Sequence, residues 1–353
     1  MSQAHPRPLR FLVPGTGGRW RCGGLLVELQ TAGLVAQLRP SEVVTYRQRQ
    51  ADHPFLADLL RQEAAPAEAL WIVSWGFDVP KLLRRLAGRP VAYHAHSCGY
   101  GFDLPPGVPL LAVSRNTLAY WGARSPRSPL FLVPNVLASQ WLERGAANAT
   151  RAPIGPGHRP IDVLVQRRKN SPYVLRRLVP ALRSRGLRVE VQSGWVDDLV
   201  DLFNSATVVL YDSAEYWRGR GVSEGFGLPP IEALACGCVV FSSLNHALAD
   251  NLEPGWLGHQ IGFGTLSADL DRIAAAVAEP QAWRPEPQVL QALLERFRES
   301  AQLAPWQRAL TGIDAHWDRL LQGEPPLRIA PAWWSRWQQR REQLERRLRR
   351  SAS

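Results

Sequence analysis

Ser223-Glu224-Gly225-Phe226-Gly227-Leu228-Pro229-Pro230-Ile231-Glu232-Ala233-Leu234-Ala235-Cys236-Gly237-Cys238-Val239-Val240-Phe241 is a glycine-bracketed loop, then a short helix, then a strand. Pro229 and Pro230 suit the first helical turn, whose N–H groups have no internal partner. Gly237 suits the end of the helix, where left-handed backbone is common. Cys238 to Phe241 is a short apolar, β-rich run that reads as a buried strand. Gly225 and Gly227 let the backbone approach a ligand in front of the helix N-terminus. That end carries partial positive charge and free N–H groups, which attract anions.

Two acids frame the element. Glu224 lies in the loop and Glu232 in the early helix, with seven residues between them. A helix end can therefore meet a phosphate while two carboxylates accept hydrogen bonds from sugar hydroxyls. Read by itself, the run also fits a surface loop with solvated glutamates. The whole pattern from Glu224 to Val240 resembles the C-terminal donor-site motif of retaining GT-B glycosyltransferases, the GT4-like group of the glycosyl transferases group 1 superfamily. The resemblance implies that Glu224 lies near the donor sugar hydroxyls and acts catalytically, and that Glu232 binds the nucleotide ribose. It also implies that the backbone of Gly225, Phe226, Gly227 and Leu228 lies against sugar and diphosphate.

The chain has 353 residues, enough for about two domains. Hydrophobic residues make up 45%, so a sizeable core is expected rather than wholesale disorder. The net charge of +11 favours acidic partners, namely nucleotide phosphates, anionic lipid or nucleic acid. The motifs supply no basic, aromatic-lined face of the kind that binds nucleic acid, so none is expected as a partner. Cys22, Cys98, Cys236 and Cys238 lack zinc-knuckle spacing and read as small buried thiols of a reducing compartment. The start of the chain has no apolar signal-peptide core, and no apolar run is long enough to span a bilayer.

In the N-terminal half, Leu9 to Pro14 reads as a strand. Gly15, Gly17, Gly18, Gly23 and Gly24 follow, with Arg19 and Arg21 among them, and then Leu25 to Leu38 at helical spacing. Strand, glycine loop and helix form a Rossmann-like unit, although not a strict dinucleotide fingerprint. A flexible connector is the other reading. The resemblance implies that this loop reaches an interdomain cleft, with its glycines, Gly24 included, facing donor phosphate or acceptor. Strand and helix signals then alternate: Glu42–Arg47, His53–Glu63, Leu70–Trp75 and Val79–Ala87. Such alternation argues for a parallel sheet between helices. A strand from Pro90 ends in a loop carrying His94 and His96. Ligands of open α/β sheets bind beyond the carboxyl ends of strands. The resemblance places a histidine there near the donor sugar; His96 is the candidate, with His94 left open. No third ligand is visible nearby, so no metal is expected. Pro109–Val113 is a further strand, Ser114 caps a helix over Arg115–Trp121, and Leu132–Val136 resembles the last strand of the family's N-terminal domain.

Residues 146–160 have the proline and glycine content of a linker. Ile161–Val165 is then a strand, ended by Gln166-Arg167-Arg168-Lys169-Asn170, and Pro172–Arg185 a helix. A basic cluster in that position can neutralise a diphosphate. The resemblance implies diphosphate contacts for Arg167, Arg168 and Lys169. Gln166 stands where the family has glycine and Lys169 follows earlier than usual, so the division of labour among the three stays open. Leu187–Gln192 is a strand, Trp195–Ser205 a helix, Thr207–Tyr211 a strand and Asp212–Gly221 a polar loop. His259–Phe263 closes the sheet, and Leu266–Val277 and Pro287–Leu321 read as helices broken by prolines. The tail from Trp333 to Arg350 is basic and tryptophan-bearing. It suits an anionic membrane surface, or packing as a charged terminal helix.

The resemblance implies a GT-B fold, with two Rossmann-like domains facing a cleft and C-terminal helices crossing back. Residues 1–145 form the acceptor-side domain, 161–280 the donor domain and 281–353 the terminal helices with the basic tail. It implies transfer of a hexose-type sugar from a nucleotide-sugar donor to a glycan or lipid acceptor with retention; no cofactor is expected, nor metal dependence, because no paired-aspartate metal motif is evident. The expected setting is cytoplasmic, with peripheral contact at the inner face of the membrane as the option that the tail leaves open. The alternative is a GT-B protein that binds a sugar nucleotide or glycan without turnover.

Overall fold

The computed structural model describes residues 6–62, 68–145, 159–253 and 255–326, together with Trp333, Trp337, Arg340 and Arg341. The expected linker, save its last two residues, and most of the basic tail lie outside the described residues. The first half holds β1 (Leu9–Val13), α1 (Gly23–Val35), β2 (Ser41–Thr45), α2 (Leu56–Gln62), β3 (Leu70–Val73) and α3 (Val79–Arg85). It continues with β4 (Val91–Ala95), β5 (Leu110–Ala112), α4 (Arg115–Arg124), β6 (Leu130–Leu132) and α5 (Ser139–Arg144). Five of these strands are entered from a proline: Pro8, Pro40, Pro90, Pro109 and Pro129. Proline has no N–H to give a ladder and a fixed φ, so it is tolerated where a strand begins. Its carbonyl still works: Leu9 donates to Pro40, Leu70 to Pro8 and Trp71 to Pro90, at 2.8–2.9 Å.

The second half holds β7 (Ile161–Gln166), α6 (Val179–Ser184), β8 (Val189–Gln192), α7 (Leu199–Asn204), β9 (Ala206–Tyr211) and α8 (Ala214–Arg218). It continues with α9 (Leu228–Ala235), β10 (Val239–Ser242), α10 (Leu248–Asn251), β11 (His259–Gln260), α11 (Leu266–Ala278), α12 (Pro287–Glu295) and α13 (Glu299–Leu321). A π-turn over Val174–Leu178 precedes α6. Pro180 accounts for it, because its ring displaces the carbonyl four residues earlier. The polar segment read as a loop contains α8. The long C-terminal helix breaks between Glu295 and Glu299 rather than at a proline, and α13 carries Pro305 inside it.

Both sheets are parallel. The first runs β2-β1-β3-β4-β5-β6 and the second β11-β10-β9-β7-β8. Each therefore reverses its order once, between β1 and β3 and between β7 and β9. In a doubly wound sheet the connections diverge at that point and leave a crevice beyond the strand ends. The central strands are buried on both faces, as in Leu70–Val73 and Val91–Ala95, which is why they read as continuous apolar runs. Helices cover both faces of each sheet, giving four apolar layers.

The last helix belongs to the first domain. Trp306, Ala309, Leu310 and Ile313 of α13 pack with Leu9, Phe11, Val35 and Ile72. Asp314 receives Arg39 at 2.6 Å and Arg7 at 3.4 Å, and Asp318 receives Arg7 at 2.5 Å, all largely buried. The chain thus crosses from the second domain back onto the first. Two Rossmann-like domains with such a crossing helix form the GT-B architecture.

Candidate active site

At the switch point of the second sheet, β7 ends in Arg167-Arg168-Lys169 and β9 leads into α8. Asn170 ties the two loops together. Its amide donates to Gln166 O at 2.8 Å and Leu210 O at 3.3 Å, and its carbonyl oxygen accepts from Asp212 N at 2.8 Å. Lys169 sits in the left-handed region, φ 65°, a conformation that costs a non-glycine residue energy. The turn brings its ammonium to 3.9 Å from Glu224 Oε1 and 5.3 Å from the ring centre of Trp217. Arg168 donates to Tyr216 Oη at 3.2 Å. Arg167 is exposed, with no acidic partner among the described residues.

Glu224 is buried, and its Oε2 is already held. The Tyr211 hydroxyl donates to it at 2.5 Å and the Trp217 indole N–H at 2.7 Å. Only Oε1, beside Lys169, remains for a ligand. Tyr211 and Trp217 hold this carboxylate, and neither stood out in the sequence. Tyr211 came from a strand end, and Trp217 from a polar loop expected to order the site near donor or acceptor, in which no one residue stood out.

The helix α9 starts as the two prolines imply. Gly227 has φ 84°, and a Cβ there would meet Leu248 Cδ2 at 2.3 Å, so both backbone and space require glycine. Gly237 closes the helix at φ 67°. Phe226 is a core residue that packs edge-on against Phe297 at 5.5 Å, leaving only its backbone for a ligand. Leu228 is half-buried at the first helical position. Glu232 is half-buried on α9 with no side-chain hydrogen bond among the described residues. Burial pushes its carboxyl up to about 7, against the pull of the Lys169 ammonium.

The N-terminal domain seats directly on this loop. Ser97 Oγ donates to Ser223 O at 2.6 Å, Cys98 N to Ser223 Oγ at 3.2 Å and Thr117 Oγ1 to Gly225 O at 3.3 Å. A Cβ on Gly225 would stand 1.5 Å from the carbonyl oxygen of His96. The cleft is therefore closed backbone to backbone, and His96 is brought to the loop that carries Glu224 and Gly225. His96 is partly exposed, whereas His94 is buried and packs edge-on against Trp306 at 5.4 Å.

Between the histidines lies Glu28 of α1, a residue the sequence reading passed over. Its Oε2 meets His94 Nδ1 at 2.8 Å and His96 Nε2 at 2.7 Å. Burial alone would raise this carboxyl, but the attraction and hydrogen bonds of His94 and His96 outweigh it and hold it at about 2. The expectation that no third potential ligand stands by the histidines is thus corrected. Glu28, His94 and His96 offer ligand atoms within 4.8 Å of one another, and the fold unites them across 66 residues of chain. Gly24, one turn earlier on α1, is exposed, with nothing within 4 Å of the place a Cβ would take.

Around the mouth of the cleft, the carboxyl ends of β1, β3 and β4 carry Trp20, Trp75, Phe77 and Tyr100. Phe77 is 70% exposed. Arg21 of the first domain stacks on Trp195 of the second, 4.2 Å from its ring centre, and so bridges the cleft. The cysteines are free, and all but Cys22 are buried.

No family model matches the chain, and no curated protein matches it. Solved structures do. HepE from Anabaena, in complex with UDP and glucose, matches with TM-score 0.58 at 15% identity, over 87% of this chain and 100% of that one. Sucrose-phosphate synthase from Thermosynechococcus elongatus matches with TM-score 0.58 at 16% identity, over 90% and 100%. The lipopolysaccharide outer core galactosyltransferase WaaB, in its apo form, matches with TM-score 0.55 at 15% identity, over 86% and 99%. At these identities the likeness is one of fold, and the fold is that of GT-B proteins.

Proposed function

We propose that this chain, built on the GT-B fold, is a glycosyltransferase. It moves a hexose-type sugar from a nucleotide-sugar donor to a glycan or lipid acceptor with retention of configuration. One observation carries the reading. The switch point of the second sheet gathers a basic triplet, two carboxylates and the N-terminus of α9, and His96 closes over them. Solved neighbours that hold UDP, glucose or UDP-glucose support a nucleotide-sugar donor.

Each group has a task in that reaction. The N-terminus of α9 and Arg167, Arg168 and Lys169 take up the charge of the departing diphosphate without a metal ion. Glu232 accepts hydrogen bonds from the ribose hydroxyls, and Oε1 of Glu224 from a donor-sugar hydroxyl. The acceptor oxygen bonds to the anomeric carbon as the bond to the diphosphate oxygen breaks. The bonding pair leaves with the nucleoside diphosphate, and the acceptor proton passes to the departing phosphate oxygen. Closure between Gly225 and His96 keeps water away from the activated sugar. The acceptor lies on the first-domain side, and the basic tail, residues 327–353, touches an anionic membrane surface.

The test is a thermal-shift panel of UDP, GDP, ADP and their sugars on the wild type and on Glu232→Ala. One nucleotide should raise the melting temperature, and the variant should lose the rise. Turnover of the matching sugar nucleotide then separates the enzyme from a silent binder of the same fold. No shift with any nucleotide, on folded protein, would overturn the donor site.

A further inference from the structure

The Glu28 carboxylate has no counterpart among the groups assigned above. It is 2% exposed, as deep as the apolar core, yet it holds a charge and meets two imidazoles. Both imidazoles meet Oε2, while Oε1 is buried with no hydrogen-bond partner among the described residues, so the buried charge is held on one side alone and loss of either histidine leaves it less compensated. His94 and His96 point into it from alternate positions of one strand end, with ring centres 4.2 Å apart. Their contacts differ. His94 uses Nδ1 and buries Nε2 without a partner among the described residues, while His96 uses Nε2. No hydrogen bond of His96 Nδ1 is present among the described residues, and that ring is the exposed one of the two.

We propose that Glu28 is a positioning residue that locks His96 in the tautomer protonated at Nε2 and turns its Nδ1 toward the donor sugar. A carboxylate accepts and does not donate, so both nitrogens facing it carry protons. In a neutral ring that leaves the other nitrogen as an acceptor, and the partner of one nitrogen decides what the other can do. His96 thereby accepts a hydrogen bond from a sugar hydroxyl at Nδ1. His94 acts as the second support: buried and wedged against Trp306 of α13, it keeps Glu28 from turning away. The same groups also match the spacing of a two-histidine, one-carboxylate cation site. Separations of 2.7–2.8 Å are ordinary proton-filled hydrogen bonds. Metal-bound histidines donate their outer nitrogen to a further group, and His94 Nε2 has none among the described residues.

The catalytic part of this inference rests on the glycosyltransferase reading; the tautomer does not. Nitrogen-15 NMR of the wild type at neutral pH should show His96 protonated at Nε2 and His94 at Nδ1. Glu28→Gln should disturb the His96 pattern and lower kcat about 10- to 100-fold at near-constant donor KM, the scale of a misplaced group. Glu28→Asp should restore part of both. A wild-type His96 protonated at Nδ1, or a Glu28→Gln enzyme with an unchanged spectrum and full kcat, would overturn the proposal. So would one equivalent of a divalent cation in purified protein by elemental analysis, because the cation would replace the protons. If Glu28→Gln fails to fold, the wild-type spectrum decides. Absence of turnover with every nucleotide sugar would sink the glycosyltransferase reading while leaving the tautomer result standing.

Discussion

At the scale of single residues, Glu232 makes the sharpest prediction. Its carboxyl is shifted from the ordinary glutamate value up to about 7 by burial. A raised acid pKa means the folded protein holds the proton more tightly than the unfolded chain does. The penalty for ionising Glu232 is absent below about 4.5, grows through the interval and is complete above 7. The wild type should therefore lose stability relative to Glu232→Gln across that window, by on the order of 2–3 kcal/mol. On the proposed ribose contact donor binding has the opposite sign, because the hydroxyls then need the ionised acceptor. Affinity for an intact nucleotide sugar should rise about tenfold from pH 6 to pH 8, with a flat profile in Glu232→Gln. Isothermal titration across that range checks it; a flat wild-type profile would remove Glu232 from the ribose. Glu224 and Glu232 were legible because they fall in one contiguous motif. Glu28 was not, because its partners lie 66 residues away. One signal was available: Glu28 sits on the buried stripe of α1 with Leu25, Thr31, Ala32 and Val35, where a lone acid demands a partner.

Elements were more legible than contacts, for physical reasons. Strands buried on both faces announce themselves as apolar runs between prolines, and α9 by its prolines and terminal glycine. The helix α8 was hidden because Ala214 to Arg218 has no apolar stripe; it exists to present Trp217 to Glu224. The close approach of the two domains was likewise invisible, although its requirement, Gly225, stood in the motif. A Cβ there would fall 1.5 Å from His96 O, far inside contact distance, so Gly225→Ala must hold the cleft ajar. The basic triplet and α9 lie wholly on the second domain and should keep binding nucleotide within a few-fold. The expected phenotype is kcat reduced about 100-fold, with a larger radius of gyration by solution scattering. Retained kcat in that variant would show that the closed contact is dispensable.

At the scale of the whole molecule, the return of α13 to the first domain decides where the tail begins. Gly107, in the loop entering β5, is bound by His316 Nε2 at 2.7 Å, and a Cβ on it would stand 3.1 Å from Pro326. That loop lies at the amino ends of the strands, while the cleft lies at their carboxyl ends. Pro326, the last described residue before the tail, therefore lies on the side of the molecule away from the cleft. Residues 327–353 contain eight arginines against two glutamates, more than half of the net +11. Trp333 and Trp337, one helical turn apart, are 64% and 50% exposed, and Arg340 and Arg341 are exposed beside them. Each basic residue at an anionic surface contributes about 1 kcal/mol, falling with salt, and the tryptophans add interfacial anchoring. On the proposed function, membrane contact through the tail should be separable from catalysis. A chain ending at Pro326 should lose co-sedimentation with vesicles rich in phosphatidylserine. It should keep its donor affinity and its rate on a soluble acceptor. The full chain should bind those vesicles at low salt and release at about 0.5 M salt, where screening is nearly complete. Equal vesicle binding by both chains would take the tail out of the membrane contact. A parallel fall in donor affinity would show instead that the tail supports the fold.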